Sequence, residues 1–170
     1  MLMTMKKIMS VMMFVVMLIT MNSCSADTAE ASDDTITVAT PSTNYNYNDS
    51  ELETMKLIND YRVSIGLNAL QQINYISYKC EEHNKDMIAV NAISHNGFVA
   101  RSEDIMKALS AKKIGENVAY NYKTAQAVLT GWLNSEGHKE NIEGDYTHFG
   151  LSVTTDASGK KYYTNIFVKL

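Results

Sequence analysis

Apolar and polar residues follow three different rhythms along the chain. From Ile8 to Met21 the sequence is apolar except for Ser10 and Thr20. After residue 50 the apolar positions return at spacings of three and four, which place them on one side of a helix. Leu52, Met55, Ile58, Tyr61 and Ile65 form the first such stripe, with Ser50 and Glu53 as its capping box and Gly66 as its stop. A second helix is predicted from about Asn74 to Asn91, with Ile76, Cys80, His83, Met87 and Val90 on one side. Ser102, followed by Glu103 and Asp104, caps a short third helix through Ile105, Met106 and Leu109. Thr124 opens a fourth, with Ala125, Val128, Leu129 and Trp132 along its face. Strand rhythm comes last. Phe149 to Thr154 and Tyr162 to Leu170 flank the turn-rich Asp156-Ala157-Ser158-Gly159, and Val118-Ala119-Tyr120 reads as a short strand. In the closing segment Tyr162, Thr164, Ile166, Val168 and Leu170 share one face. Helices first and a hairpin last predict an α+β fold, with helices covering an antiparallel sheet.

The first apolar run is not part of that fold. Fourteen residues are too few to span a bilayer, which takes about 20. Preceded by Lys6 and Lys7, the run has the form of a secretory signal. It ends in Asn22-Ser23-Cys24-Ser25, where a small residue directly before cysteine resembles a bacterial lipoprotein processing site, Cys24 becoming the lipidated first residue. Ordinary signal cleavage and an uncleaved anchor are the alternatives, and each of the three exports the chain. From Ser25 to Ser50 there are acids, Ser/Thr and the only proline, Pro41, but no Lys or Arg, a composition with little to bury. The expected organisation is a signal peptide over 1–23, a flexible acidic tether over 24–50 and one folded domain over 51–170. All nineteen acids lie after Cys24, which excludes a basic nucleic-acid-binding surface and leaves the domain itself near neutral.

Chemistry narrows to a few side chains. With Cys24 assigned to lipidation, Cys80 stands alone in a helical pattern and reads as a small buried hydrophobe rather than a nucleophile. Of the four histidines, no pair has the spacing of a helical zinc motif, so any shared site must be assembled by the fold. His95, in Ser94-His95-Asn96-Gly97-Phe98, and His138, in Ser135-Glu136-Gly137-His138, are read as loop residues past the second and fourth helices. His83 shares the apolar side of the second helix and reads as a core residue, while His148 borders a strand start. Glu116, in Gly115-Glu116-Asn117, stands ahead of the expected short strand, where a carboxylate can project into a cleft. No glycine-rich phosphate loop and no Gly-x-Ser-x-Gly is present.

The order of these segments resembles the CAP superfamily, the cysteine-rich secretory, antigen-five and pathogenesis-related-one proteins, in its short bacterial form. The resemblance covers residues 51–170 and rests on Ile58-Asn59-x-Tyr61-Arg62, Ser94-His95-Asn96-Gly97-Phe98 with Arg101, Gly115-Glu116-Asn117-Val118-Ala119, Trp132 through His138, and Tyr162 through Phe167. It implies a three-layer α-β-α sandwich. It also implies a central cleft lined by two histidines and two acids and able to hold a divalent cation. By motif, His95, Glu116 and His138 take three of those positions. The fourth departs: where many relatives have Trp-x-x-Glu, this chain has Trp132-Leu133-Asn134-Ser135, with Glu136 one residue away.

Two neutral imidazoles and a carboxylate can bind Zn²⁺ with one position open, and their affinity falls as the histidines protonate. The leading expectation is therefore a binding module, tethered to a membrane by its lipid anchor, with a cation-capable cleft for envelope or extracellular partners. An envelope hydrolase acting on peptide or cell-wall material is the alternative, with His95, Glu116 and His138 as acid, base or metal ligands and Ser135 as a remote nucleophile. Lipid or sterol carriage ranks third, since no extra apolar helix is available to line a groove.

Overall fold

A computed structural model of the protein describes residues 43–170. The apolar leader, Cys24 and the spacer through residue 42 lie outside the described residues. Among those described, no helix is long and apolar enough to cross a membrane.

Helix α1, Asp49–Ser64, starts earlier than the Ser50 capping box predicts. Asn48 is the N-cap: its side chain accepts from the Glu51 amide, and the Glu51 carboxylate accepts from the Asn48 amide. Tertiary contacts settle which glutamate caps. Glu51 is buried, and its Oε1 also accepts from the Val153 amide at 2.8 Å and the Tyr45 hydroxyl at 2.7 Å. Tyr47 reaches Ser77 at 2.9 Å. Residues 45–48, assigned by composition to the tether, are thus strapped onto the domain. The buried side of α1 is Glu51, Thr54, Met55, Ile58 and Arg62, whereas Leu52 and Ile65 of the expected stripe are exposed. Arg62 is buried because its hydrogen bonds are made inside the protein. It donates to the carbonyls of Asn68, Ile142 and Gly144, closing two turns on α1.

The sheet contains β1 (Gln71–Gln72), β2 (Lys113–Tyr120), β3 (His148–Thr155) and β4 (Lys161–Lys169) in the order β1-β3-β4-β2. The β3–β4 hairpin and the β2–β4 pair are antiparallel as expected. Strand β1 is the exception, running parallel to β3 through two exposed glutamines that carry no apolar pattern to announce them. Strand β2 is longer than Val118–Tyr120, so Glu116 lies within a strand rather than ahead of one.

Strand β4 is buried on both faces. Tyr162, Thr164, Ile166 and Val168 face α2 (Asn74–Ala89) and α3 (Phe98–Leu109); Tyr163, Asn165 and Phe167 face α1, α4 (Ala125–Leu133) and α5 (Glu136–Ile142). The result is a three-layer α-β-α sandwich. The larger core lies on the α1/α4 side, around Met55, Ile58, Trp132, Phe149, Leu151 and Phe167. On the other side Ile76, Cys80, Ile105 and Leu109 pack on Ile166 and Val168. Gly150 permits this second packing: a Cβ there would sit 2.4 Å from the Ser77 backbone nitrogen, so only glycine lets α2 lie directly on β3.

Three expectations shift at element ends. Helix α3 begins at Phe98 instead of Ser102, because Gly97, at φ 74°, turns the chain into it. Val90, expected on the buried side of the second helix, is its C-cap and is exposed. His138, read as a loop residue, belongs to α5, a helix too short and polar to show a periodic stripe.

Candidate functional site

Strand β2 is the outer strand of the sheet, so the two helical layers approach each other along its free edge. Side chains close that edge. The Glu116 carbonyl accepts from Asn141 Nδ2 at 3.1 Å, and the Val118 carbonyl from Trp132 Nε1 at 3.1 Å. Asn117 Nδ2 donates to the His138 carbonyl at 2.9 Å, which fixes the start of α5 against the strand. Glu116 and Asn117 therefore serve opposite layers by strand alternation, one pointing towards α3 and one towards α5.

Glu116 is almost fully enclosed, its side chain 1 % exposed. An unpaired carboxylate at such a depth would be prohibitively costly, and two neighbours meet it. Arg101, one turn into α3, clasps it as a fork: Nε lies 2.9 Å from Oε2, and Nη2 lies 3.0 Å from Oε1 and 2.7 Å from Oε2. His95, on the loop before α3, places Nδ1 2.9 Å from Oε1. A carboxylate flanked in this way only accepts, so Nδ1 carries the proton and the neutral ring keeps its lone pair on Nε2. The His95 side chain is half exposed. The arrangement thus presents one oriented imidazole, backed by a buried, charge-balanced carboxylate.

The other candidates occupy different places. His138 lines a cavity of about 330 Å³ with Ile93, Tyr120, Trp132 and Ser135. Its pKa is pushed down, first by burial and then by the repulsion that His95 exerts on it when protonated, so the neutral ring is favoured. Ser135 is the N-cap residue of α5, yet its side chain makes no capping bond. Glu136 is exposed on the first turn of α5 and takes no part in the contacts of Glu116. Cys80 is buried, donates to the Gly150 carbonyl at 3.4 Å, and has its thiol pKa raised chiefly by burial; it is packing, not a nucleophile. Arg101 is the site residue to which sequence reasoning gave no role. Its signal was scarcity: the chain has two arginines, Arg62 and Arg101, and both are turned inward.

Among the described residues no three His, Cys, Asp or Glu side chains are grouped as a metal ion would need. The reason is visible in the contacts: Glu116 has both oxygens engaged by Arg101 and stands behind His95, as an orienting group for it, instead of beside it as a third ligand.

Comparison with known proteins fits this architecture. The profile of the cysteine-rich secretory protein family (CAP) matches residues 55–168. The chain belongs to the CAP family. It is 35% identical over 127 residues to the uncharacterized membrane protein YlbC of Bacillus subtilis, covering 71% of this chain and 34% of that one. It is 33% identical over 141 residues to the uncharacterized protein YkwD of the same organism, covering 81% of this chain and 54% of that one. This CAP chain therefore spans only about a third to a half of the curated relatives it matches. Among solved structures it is similar to an SCP-domain extracellular protein of Bacillus anthracis, with a TM-score of 0.61 and 25% identity over 75% of this chain and 45% of that one. An outer surface protein of Borrelia burgdorferi shares the fold, with a TM-score of 0.64 and 20% identity over 73% of this chain and 97% of that one.

Proposed function

We propose that this CAP protein is an exported binding module of the cell envelope, held to a membrane through lipidated Cys24. Its cleft at the β2 edge would offer His95 and His138 to a divalent cation such as Zn²⁺. The observation that carries this reading is the Glu116–His95 pair: a buried carboxylate fixes the tautomer and orientation of a half-exposed imidazole and leaves Nε2 free. A carboxylate–histidine pair of this kind is what tunes a metal-binding imidazole. His138, kept neutral by burial, supplies the second nitrogen, and the remaining coordination positions would be open to an external ligand. Relatives described as an outer surface protein, an extracellular protein and a membrane protein support the envelope setting.

Calorimetric titration of the purified protein with Zn²⁺ tests the reading. Saturable binding at pH 7.5 is expected, weakening towards pH 5.5 because both imidazoles must be unprotonated. His95→Ala and His138→Ala should each abolish it; unchanged binding in both variants would reject the assignment.

Hydrolysis is the second reading, favoured by one specific feature. A histidine oriented by a buried carboxylate is the base half of a nucleophilic site, and Ser135 shares the cavity of His138 with its hydroxyl uncommitted to capping. Turnover of peptide or cell-wall substrates by the purified protein, lost in Ser135→Ala, would replace the binding reading. Lipid carriage has less support. A cavity of about 600 Å³ beside α2 and α3 has Lys79, Glu82, Lys85, Asp86, Arg101 and Asp104 among its lining residues, charges that do not suit an acyl chain.

A further inference from the structure

His95 rides on a loop that has little else to hold it. Between α2 and α3 the chain is anchored at its start by the Ala92 amide on the Met87 carbonyl, 3.1 Å, and at its end by the Phe98 amide on the His95 carbonyl, 3.0 Å. Its apolar side chains do not tie it down, since Ile93 is 48% exposed. Two polar contacts from the body flank residue 95. Arg101 Nη1 approaches the Asn96 carbonyl at 3.4 Å, and His83 Nε2 lies 2.8 Å from the Ser94 carbonyl.

We infer that His83 is a positioning residue for His95, its Nε2–H tying the Ser94 carbonyl, and with it the loop, to helix α2. The inference rests on the reading of His95 as the working imidazole of the cleft. The chemistry of the contact fixes the tautomer of His83: a carbonyl only accepts, so Nε2 carries the proton and Nδ1 is left as a bare acceptor. That Nδ1 is buried and has no hydrogen-bond partner. A leucine or methionine would fill the same space on α2 without stranding a polar atom. What histidine adds at this place is one N–H aimed at the loop.

The surroundings hold the ring in this neutral form. Arg101 of α3, Glu116 of β2 and Asp86 of α2 itself are the charged groups that bear on it, and burial together with Arg101 outweighs the Ser94 hydrogen bond and the acids, so the pKa is lowered. Protonation would place a second N–H on Nδ1, where no acceptor waits.

Two substitutions separate positioning from packing. Gln at 83 can offer a comparable N–H and does not titrate, whereas Met keeps the volume and removes the donor. In the purified protein, free of added metal, amide deuterium exchange over residues 92–97 and the His95 imidazole NMR shifts are the readouts. At pH 7.5 His83→Met should speed exchange in the loop by about tenfold, the order expected for one lost hydrogen bond to a segment that opens locally, with the rest of α2 still protected. His83→Gln should restore wild-type loop protection and His95 shifts. Wild-type loop protection in His83→Met, or a folded His83→Gln that fails to restore it, would overturn the inference. Because neither readout involves a cation, failure of metal binding leaves this test unaffected.

Discussion

Glu116 shows how one residue can join the stability of this protein to its chemistry. Its charge is enclosed between an arginine fork and an imidazole, so the ion pair that makes burial tolerable also orients His95. Replacing it by glutamine keeps the shape and strands the Arg101 guanidinium, whose side chain is only 9 % exposed. Glu116→Gln should therefore cost about 3–5 kcal/mol of stability in urea denaturation, the scale expected when one partner of a buried pair is removed. A loss below about 1 kcal/mol, the scale of an exposed pair, would mean that the carboxylate is far better solvated than its burial indicates. Arg101 also explains a blind spot of sequence reasoning. Gly115-Glu116-Asn117 marks an acid worth following, but nothing in the stretch between Arg101 and Glu116 tells that they meet. That contact depends on α3 packing against β2.

At the scale of elements, helix type and the starts of α2 and α4 were legible, while the starts of α1 and α3 were not. The long stripes of α1, α2 and α4 are periodic enough to read, but a cap is decided by which polar side chain the tertiary structure holds in place. Ser50 and Glu53 match a capping box as well as Asn48 and Glu51 do; the second pair wins because Glu51 is also required by the Val153 amide. Asn48→Ala should lower stability by about 1 kcal/mol in the same denaturation experiment, and Ser50→Ala by much less. The reverse ranking would restore the cap position read from sequence. Helix α5 and strand β1 escaped notice for a related reason. They are short and polar: α5 is held to Asn117 of β2 through its own Asn141 side chain and its His138 carbonyl, and β1 pairs with the edge of β3.

For the whole molecule, pH acts through histidines held neutral. His83, His138 and His148 all have pKa values lowered mainly by burial, so the unfolded chain binds more protons than the folded one at mildly acidic pH. Their contribution is fully present above the ordinary value of 6.5 and is lost as pH falls through the lowered folded values. The melting temperature should therefore drop from pH 7.5 to pH 5; an unchanged Tm would show that these rings titrate as freely folded as unfolded. A separate acid step belongs to Asp104, Asp145 and Asp156, whose pKa values lie below 3.8 because of their hydrogen-bond partners, and it appears only at lower pH. The sequence by itself determined the α+β class, the family, the hairpin that ends the sheet and the three residues worth examining, because periodicity and ordered motifs are local properties of a chain. Only the tertiary structure decided their surroundings. It set Glu116 against both His95 and Arg101, brought His83 to the Ser94 carbonyl, and brought α5 with His138 to the same free edge of β2. Burial, charge pairing and tautomer depend on neighbours distant in sequence, and those neighbours are set when the two helical layers close on the sheet.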